Sequence, residues 1–490
     1  MCQYFIYKVF LVFVAMRIIL INTNQERWPI PAAPVGLSLV ASSLRKARHQ
    51  VRVIDRMFLF SKKEDQRILT EAVNKFKPEL IGLSIRNVDN TCMSALRYYL
   101  PDIKELVTFL KTLTDVPFVV GGPGYSLFPV DILKFLGLEF GIKGEGEIAC
   151  VQLAQALAES SPYESIAGLV FKSNGSYQCN PATLIPDLEQ MEPAAFDLLD
   201  YKKYIQKKSY IGLQTKRGCA FKCVYCEHPW IEGKTYRLKT PQRVVDEIIE
   251  AQKFWQLDYF FFVDSVFNFP TNHACAICEE ILRREVKIKW YANVNPVGIS
   301  DEMASLMARS GCIGADVGID VASAEMLERM GKGFTQADIA KASACYHKAG
   351  IATSFQLLLG GPGETRETII EGFKFLEGIP QPDNILTVFG IRIYPNTPLF
   401  EVSKPEDIVF MGEKGDYLSP TFHLPHDFTQ NDFQMVEDWC KQYPHWSTPL
   451  NPWQYFNVMR VTRVPKFGKF KIEQINRGSL CRTLQQKKYI

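Results

Sequence analysis

At 490 residues, 47% hydrophobic and 22% charged, the chain has the make-up of a globular protein of about two to four domains and excludes a disordered or fibrous one. A formal net charge of +3 gives no bulk electrostatic case for nucleic acid, and thirteen cysteines over this length are too sparse for a small disulfide-stapled scaffold. The charge is uneven: residues 461–490 carry eight Lys/Arg against one acid, Glu473, and read as a solvated basic tail.

The run from Cys2 to Leu20 is apolar apart from Gln3, Lys8 and Arg17. It has no small-residue cleavage site and passes straight into Arg17–Asn22, which reads as a buried parallel strand. Residues 1–15 are therefore expected to be an extension and not a membrane segment. A cytoplasmic, reducing compartment suits the unpaired thiols.

Residues 16–150 alternate short strands and helices. Strands are expected at Arg17–Asn22, Val51–Asp55, Leu80–Ile85, Phe118–Gly121 and Phe140–Lys143, with helices between them. The alternation predicts an α/β fold with a doubly wound, Rossmann-like parallel sheet, which binds ligands at the carboxyl ends of its strands. Those ends read Asn22-Thr23-Asn24 followed by Pro29, Pro31 and Pro34; Ser84-Ile85-Arg86-Asn87-Val88-Asp89-Asn90; Gly121-Gly122-Pro123-Gly124-Tyr125-Ser126; and Gly144-Glu145-Gly146-Glu147. Glycines let backbone approach a ligand, and Asn and Ser supply amide-matching donors and acceptors. No G-x-G-x-x-G follows the first strand, which disfavours a dinucleotide.

Residues 151–205 read as a linker. It holds a helix at Val151–Ala158, a hairpin turning at Asn174-Gly175, and a crossing segment marked by Pro181, Pro186 and Pro193. From 206 to 400 the alternation resumes, with strands at Ile211–Thr215, Tyr259–Asp264, Lys287–Val294, Ala315–Asp320, Ala352–Leu359 and Ile385–Tyr394. Six such units predict a partial (β/α)6 barrel with its chemistry at the strand ends. Residues 401–490 lack the alternation and read as a small C-terminal helical cap. Its aromatics (Trp439, Tyr443, His445, Trp446, Trp453, Tyr455) are expected to be core first and substrate wall second.

After the first barrel strand stands Cys219-Ala-Phe-Lys-Cys223-Val-Tyr225-Cys226. Thiolates are the usual iron–sulfur ligands, and three of them leave one iron of a cube open to a small molecule. Structural zinc wants four ligands, and His228 lies too close to complete a paired set. Cys275 and Cys278 share an apolar helix face and are expected in the core. Asp264 is expected either to touch the site or to cap the next helix.

The C-x3-C-x2-C spacing with Tyr225 before the third cysteine resembles the signature of the radical S-adenosylmethionine (SAM) enzymes. The resemblance implies a [4Fe–4S] cluster on Cys219, Cys223 and Cys226, SAM chelating the open iron, and reductive cleavage of SAM to a 5′-deoxyadenosyl radical. The strand-end loops of residues 16–150 resemble, in order, the cobalamin-binding domain that precedes one large class of these enzymes. That implies cobalamin contacts at Asn24, Ser84, Arg86, Asn87, Asn90, Gly121, Gly122, Gly124, Tyr125, Ser126, Gly144 and Glu145. The Asp-x-His-x-x-Gly sequence that supplies a histidine to cobalt is absent, and His49, the domain's one histidine, is expected at the surface of a turn. Cobalamin is thus expected without a histidine ligand, with Arg86 and Asn87 beneath the cobalt; the competing reading pairs Arg86 with Asp89.

Further loops resemble the same class: Gly318-Ile319-Asp320, where many relatives have a glutamate on the SAM ribose; Met330-Gly331-Lys332-Gly333; Leu359–Thr365; and Gly390–Leu399. They imply SAM contacts from Tyr225, Asp320, Gly360, Gly361, Gly363, Glu364, Arg392 and Tyr394. The implied activity is a cobalamin-dependent radical SAM enzyme that transfers a methyl group to an unactivated carbon. The alternatives are ring closure or rearrangement without methyl transfer and, more distantly, a non-catalytic cobalamin or redox sensor. Methylthio transfer is disfavoured, because the first domain has no three-cysteine set. Expected partners are a small-molecule or lipid-like substrate and a reductant such as flavodoxin or ferredoxin, with no nucleic acid.

Overall fold

Parallel strands organise each half of the chain, and in the first half the central strands are covered on both faces. The computed structural model describes residues 14–27, 30–207 and 209–449; the basic tail, Trp453, Tyr455 and residues 1–13 of the N-terminal extension lie outside them. The first sheet contains β1 (Arg17–Asn22), β2 (Gln50–Asp55), β3 (Leu80–Ser84), β4 (Phe118–Gly121), β5 (Phe140–Ile142), β6 (Leu169–Ser173) and β7 (Ser176–Cys179). Their order is β2-β1-β3-β4-β5-β6-β7. Ile18 to Ile21 of β1 and Leu80 to Leu83 of β3 are buried without alternation, as strands with helices on both faces must be. The chain runs from β1 outward to β2 and then returns to β3 on the other side of β1. The reversal opens a crevice at the carboxyl ends of β1 and β3, the place where such sheets take ligands.

Two expectations change here. The hairpin assigned to a linker is β6 and β7, added antiparallel to the edge of the same sheet through Phe140↔Phe171 and Ile142↔Leu169. It satisfies backbone groups that β5 would otherwise expose as an edge, so the first unit runs past residue 150. His49 is buried, not on the surface, because its Nδ1 accepts the Met16 N–H at 3.1 Å. That bond lies at the amino end of β1, opposite the crevice.

The second sheet is an open parallel barrel. Its strands are β8 (Ile211–Leu213), followed after the short β9 (Lys216–Arg217) and β10 (Arg237–Leu238) by β11 (Tyr259–Phe262), β12 (Lys289–Val294), β13 (Cys312–Asp320), β14 (Ala352–Leu359) and β15 (Asn384–Phe389). They lie in chain order, β8-β11-β12-β13-β14-β15, and the two-residue strand β19 (Trp446–Ser447) adds parallel to β15. The strand expected over 385–394 breaks at Gly390 (φ 78°). A side chain there would place its Cβ 2.8 Å from Met93 Sδ. Beyond the break, β16 (Ile391–Arg392) leaves the barrel and joins β17 (Ile408–Phe410) and β18 (Thr421–His423) in an antiparallel sheet ordered β16-β18-β17. The expected helical cap is therefore, in its described part, a small sheet with one helix at Gln430–Gln442 and β19. Of its described aromatics, Trp446 is core, fully buried 4.4 Å from Phe373 with its Nε1 donating to Glu377 Oε1 at 2.6 Å, while Trp439, Tyr443 and His445 are half-buried. No described helix is long and apolar enough to cross a membrane.

Candidate active site at the facing strand ends

The three cysteines occupy the loop between β9 and β10, which pair as a two-residue antiparallel ladder. The loop is shaped from its start. Gly218 has φ 91°, and a Cβ there would lie 2.1 Å from the Thr235 carbonyl, so only glycine fits. Next, the Cys219 N–H donates to Gly233 O at 3.0 Å. Val224 N donates to Met330 O at 3.1 Å, and Leu399 N to Val224 O at 2.8 Å, so the Met330–Gly333 loop clasps the cysteine loop. Cys219 is buried; Cys223 and Cys226 are partly open. Burial pushes the Cys223 and Cys226 thiols up, and the Lys332 ammonium opposes this at Cys223. Among the described residues no three His, Cys, Asp or Glu side chains converge as a single-ion site requires. Thiolates that bind separate irons of a cube need not converge in that way.

Asp264 braces this loop from below. Its Oδ1 accepts from Thr215 N at 2.8 Å and Lys216 N at 3.2 Å, its Oδ2 accepts from Thr215 Oγ1, and Lys216 Nζ donates to Phe267 O at 2.6 Å. It neither enters the site nor caps a helix, the two roles the sequence left open.

At the end of β13, Asp320 has φ 60° after a register shift that begins at Val317. Its Oδ2 accepts hydrogen bonds from Tyr225 Oη at 2.5 Å and from the buried ammonium of Lys332, which also lies 3.2 Å from Tyr225 Oη. Tyr225 and Asp320 are thereby brought together beside the cysteines, with one carboxylate oxygen committed inside the protein. Nothing local in Met330-Gly331-Lys332-Gly333 marks Lys332 as buried; its burial against Asp320 is a tertiary fact.

Gly360 (φ 94°) and Gly363 (φ 77°) turn the loop after β14. Glu364 is a brace, not a free ligand: its Oε2 accepts the N–H groups of Gly360 and Gly361, the latter at 3.1 Å. Burial raises its pKa to about 7 against the lowering effect of those two bonds. Gly361 lies tight under Met330, whose Sδ would be 2.9 Å from an added Cβ.

Two expected SAM contacts lie elsewhere. Arg392 is buried in the contact with the first domain: Nε donates to Asp89 Oδ2 at 2.8 Å, Nη1 to the carbonyls of Ile393 and Thr421, and Nη2 to that of Tyr417. Tyr394 is buried against Phe128 of the first domain, with ring centroids 6.2 Å apart. Both face the partner sheet, because β16 has turned out of the barrel. The same ion pair overturns the pairing of Arg86 with Asp89. Arg86 is exposed at the end of β3 and acts electrostatically on Tyr210, just before β8.

On the first-domain side the expected cobalamin contacts divide. Glu145 is committed to the domain contact: Arg237 donates to both its oxygens at 2.7 and 3.0 Å, Arg217 Nη1 lies at 3.2 Å, and Ile185 N donates at 2.6 Å. Asn90 shapes its own loop, accepting from Arg97 N and donating to Ala95 O. Tyr125 is fully buried, turned under Gly141. Gly122 and Gly124 are required by protein backbone, since added Cβ atoms would lie 2.6 Å from Ile85 O and 2.9 Å from Arg86 O. Ser126 ties Gly122 O to Gly144 N, locking the loops after β4 and β5 beside Gly121. Asn24, Ser84, Arg86 and Asn87 stand at the β1/β3 crevice. Asn24 Nδ2 is buried without a hydrogen-bond partner, a donor that a bound amide-rich ring system would satisfy. The residues present therefore fit a cluster at the barrel mouth and cobalamin at the crevice.

Residues 213–376 match the radical SAM superfamily, and residues 30–154 match the B12 binding domain. An uncharacterized methyltransferase of Pyrococcus horikoshii is 27% identical over 400 residues, covering 80% of this chain and 83% of that protein. The tryptophan 2-C-methyltransferase of Streptomyces laurentii is 26% identical over 444 residues, covering 77% of this chain and 72% of its own. The solved radical SAM methyltransferase TsrM from Kitasatospora setae, with cobalamin and a [4Fe–4S] cluster bound, superposes with a TM-score of 0.80 at 23% identity over 92% of this chain and 99% of that one, a likeness of fold. With a three-cysteine loop at one set of strand ends and a B12-binding crevice at the other, the chain belongs to the radical SAM enzymes that carry an N-terminal cobalamin-binding domain.

Proposed function

We propose that the protein is a cobalamin-dependent radical SAM C-methyltransferase acting on a small molecule. The observation that carries this is the buried charge contact between the two ligand-binding mouths. Arg217, two residues before Cys219, pairs with Glu145 and Glu147 of the first domain, and Arg392 pairs with Asp89. The contact holds the cobalamin crevice against the barrel mouth, which a transfer between cofactors requires and two independent binding domains would not. The methyltransferases among its relatives support the same reading.

When bound, the cluster with SAM supplies one-electron chemistry and cobalamin supplies a transferable methyl group. The chain's own residues position and shield. Cys219, Cys223 and Cys226 hold iron, and the Tyr225–Asp320–Lys332 network fixes the loop that carries them. Glu364 fixes the glycine turn beside it. Arg86, whose guanidinium offers a metal no lone pair, would lie beside bound cobalamin without coordinating it. A flavodoxin- or ferredoxin-type reductant and a cytoplasmic setting fit this chemistry.

The test is anaerobic incubation of the reconstituted enzyme with a reductant, pooled metabolites and SAM labelled in its methyl group. A labelled product formed alongside 5′-deoxyadenosine is expected. SAM cleavage with no label in any product would favour ring closure or rearrangement, and no cleavage at all would favour a sensor.

A further inference from the structure

The concave face of the barrel is open along its middle. Gln356, in the centre of β14 and flanked by strands on both sides, is exposed; Ser354 and Leu358 on the same face are half-buried, while Thr353, Phe355 and Leu357 on the other face are covered. A lumen filled by its own side chains would cover that row.

One wall of the opening is aromatic. Tyr210 stacks on Phe261 with ring centroids 4.5 Å apart, and Phe261 lies 5.4 Å from Tyr291, each pair inclined by 30°. All three rings are half-buried, so they keep surface for a guest. Tyr291 leans over Gly314, where an added Cβ would meet its ring at 2.8 Å, and so reaches Asp316. The Asp316 carboxylate accepts hydrogen bonds from the Tyr291 and Ser354 hydroxyls, and Ser354 is itself held by Asn384 Nδ2 at 3.2 Å. No Lys, Arg or His figures among the groups acting on it, and burial pushes its pKa up to about 6. A half-buried carboxylate with hydroxyl partners but no counter-charge favours a cationic guest. Tyr210 feels both the Arg86 charge and the Asp316 carboxylate, so the aromatic wall runs within reach of that carboxylate.

Resting on the proposed methyltransferase reading, we propose that this lumen takes an arylalkyl amine, protonated at neutral pH. The flat ring lies along Tyr210, Phe261 and Tyr291, and the protonated amine is held by Asp316. Offset stacking holds the ring, and the amine supplies the missing counter-charge.

The test uses three probes of similar size, 2-phenylethylamine, 3-phenylpropionate and 2-cyclohexylethylamine, titrated calorimetrically into the full-length reconstituted enzyme at neutral pH. Phenylethylamine should bind at least about tenfold more tightly than either of the others. Asp316→Asn keeps the hydroxyl contacts and should lower amine affinity by about tenfold or more while leaving phenylpropionate unchanged. Gln356→Arg, at an exposed position, should reverse the preference toward phenylpropionate. Equal binding of the three probes, no binding of the amine, or an unchanged preference in both variants would overturn the assignment. SAM cleavage by the wild-type enzyme, measured in parallel, reports separately on the proposed activity.

Discussion

Asp89, in the loop after β3, and Arg392, in β16, form a buried ion pair 2.8 Å long between residues 303 apart in sequence. Three further guanidinium donors reach the carbonyls of Ile393, Thr421 and Tyr417, so four of the five N–H groups of the arginine are used. With the contacts of Arg217 and Arg237 to Glu145, this pair joins the two sheets at their ligand-binding ends.

Removing one partner strands the other charge. Asp89→Ala is expected to lower unfolding stability by about 3–5 kcal/mol. Asp89→Asn, which keeps an acceptor for Nε, should cost less. Arg392→Lys should not rescue, because an ammonium cannot serve four acceptors from one plane. Denaturant titration of the three variants checks this; a loss below about 1 kcal/mol in Asp89→Ala would show that the pair is not a structural joint.

Any one of Cys219→Ala, Cys223→Ala and Cys226→Ala should remove the iron–sulfur charge-transfer absorbance and all SAM cleavage. Cys275→Ala and Cys278→Ala, on the helix Thr271–Arg283, should leave both intact. Gly218→Ala should also lose the cluster although no ligand changes, since the clash with Thr235 O forces the loop out of place. Iron analysis and visible spectra decide; four irons per chain in a triple-alanine variant would refute the ligand set.

The loops after β1, β3, β4 and β5 contain no histidine, and His49 is bonded at the other end of β1. Paramagnetic resonance of the Co(II) form bound to the protein should therefore show no nitrogen superhyperfine splitting from a protein ligand. Splitting that changes when the protein, and not cobalamin, is labelled with nitrogen-15 would mean that a side chain from outside these loops coordinates.

Glu364 makes apo-protein stability depend on pH. Its folded pKa, about 7, lies above its ordinary value of 4.5, so between those values the folded state holds more protons than the unfolded state. Stability is full below the lower value and is lost as pH rises through the upper. Glu364→Gln keeps an oxygen for Gly360 and Gly361 but cannot ionise. At about pH 8 it should be more stable than wild type by about 1–3 kcal/mol, with little difference near pH 5. Parallel stability curves for the two proteins would contradict this.

Local spacing determined much of this protein by itself. Three thiols within eight residues and Tyr225 between them fix the chemistry that loop can support, because the ligands need no distant partner. Alternating apolar runs likewise fix parallel strands, and the polar and glycine residues at their ends mark where ligands enter. Only the tertiary structure decided which of those end residues remain available. Arg392, Tyr394 and Glu145 lie in matching motifs, yet each is taken up by a partner from the other domain, and burial forces such charges to pair. His49 and the β6–β7 hairpin are settled by backbone groups that need partners at a strand start and a sheet edge. Tyr210, Phe261, Tyr291 and Asp316 carry no motif. They become one surface only when β8, β11, β12 and β13 align in register and curve into a barrel, because period-two alternation defines a face but not what that face encloses.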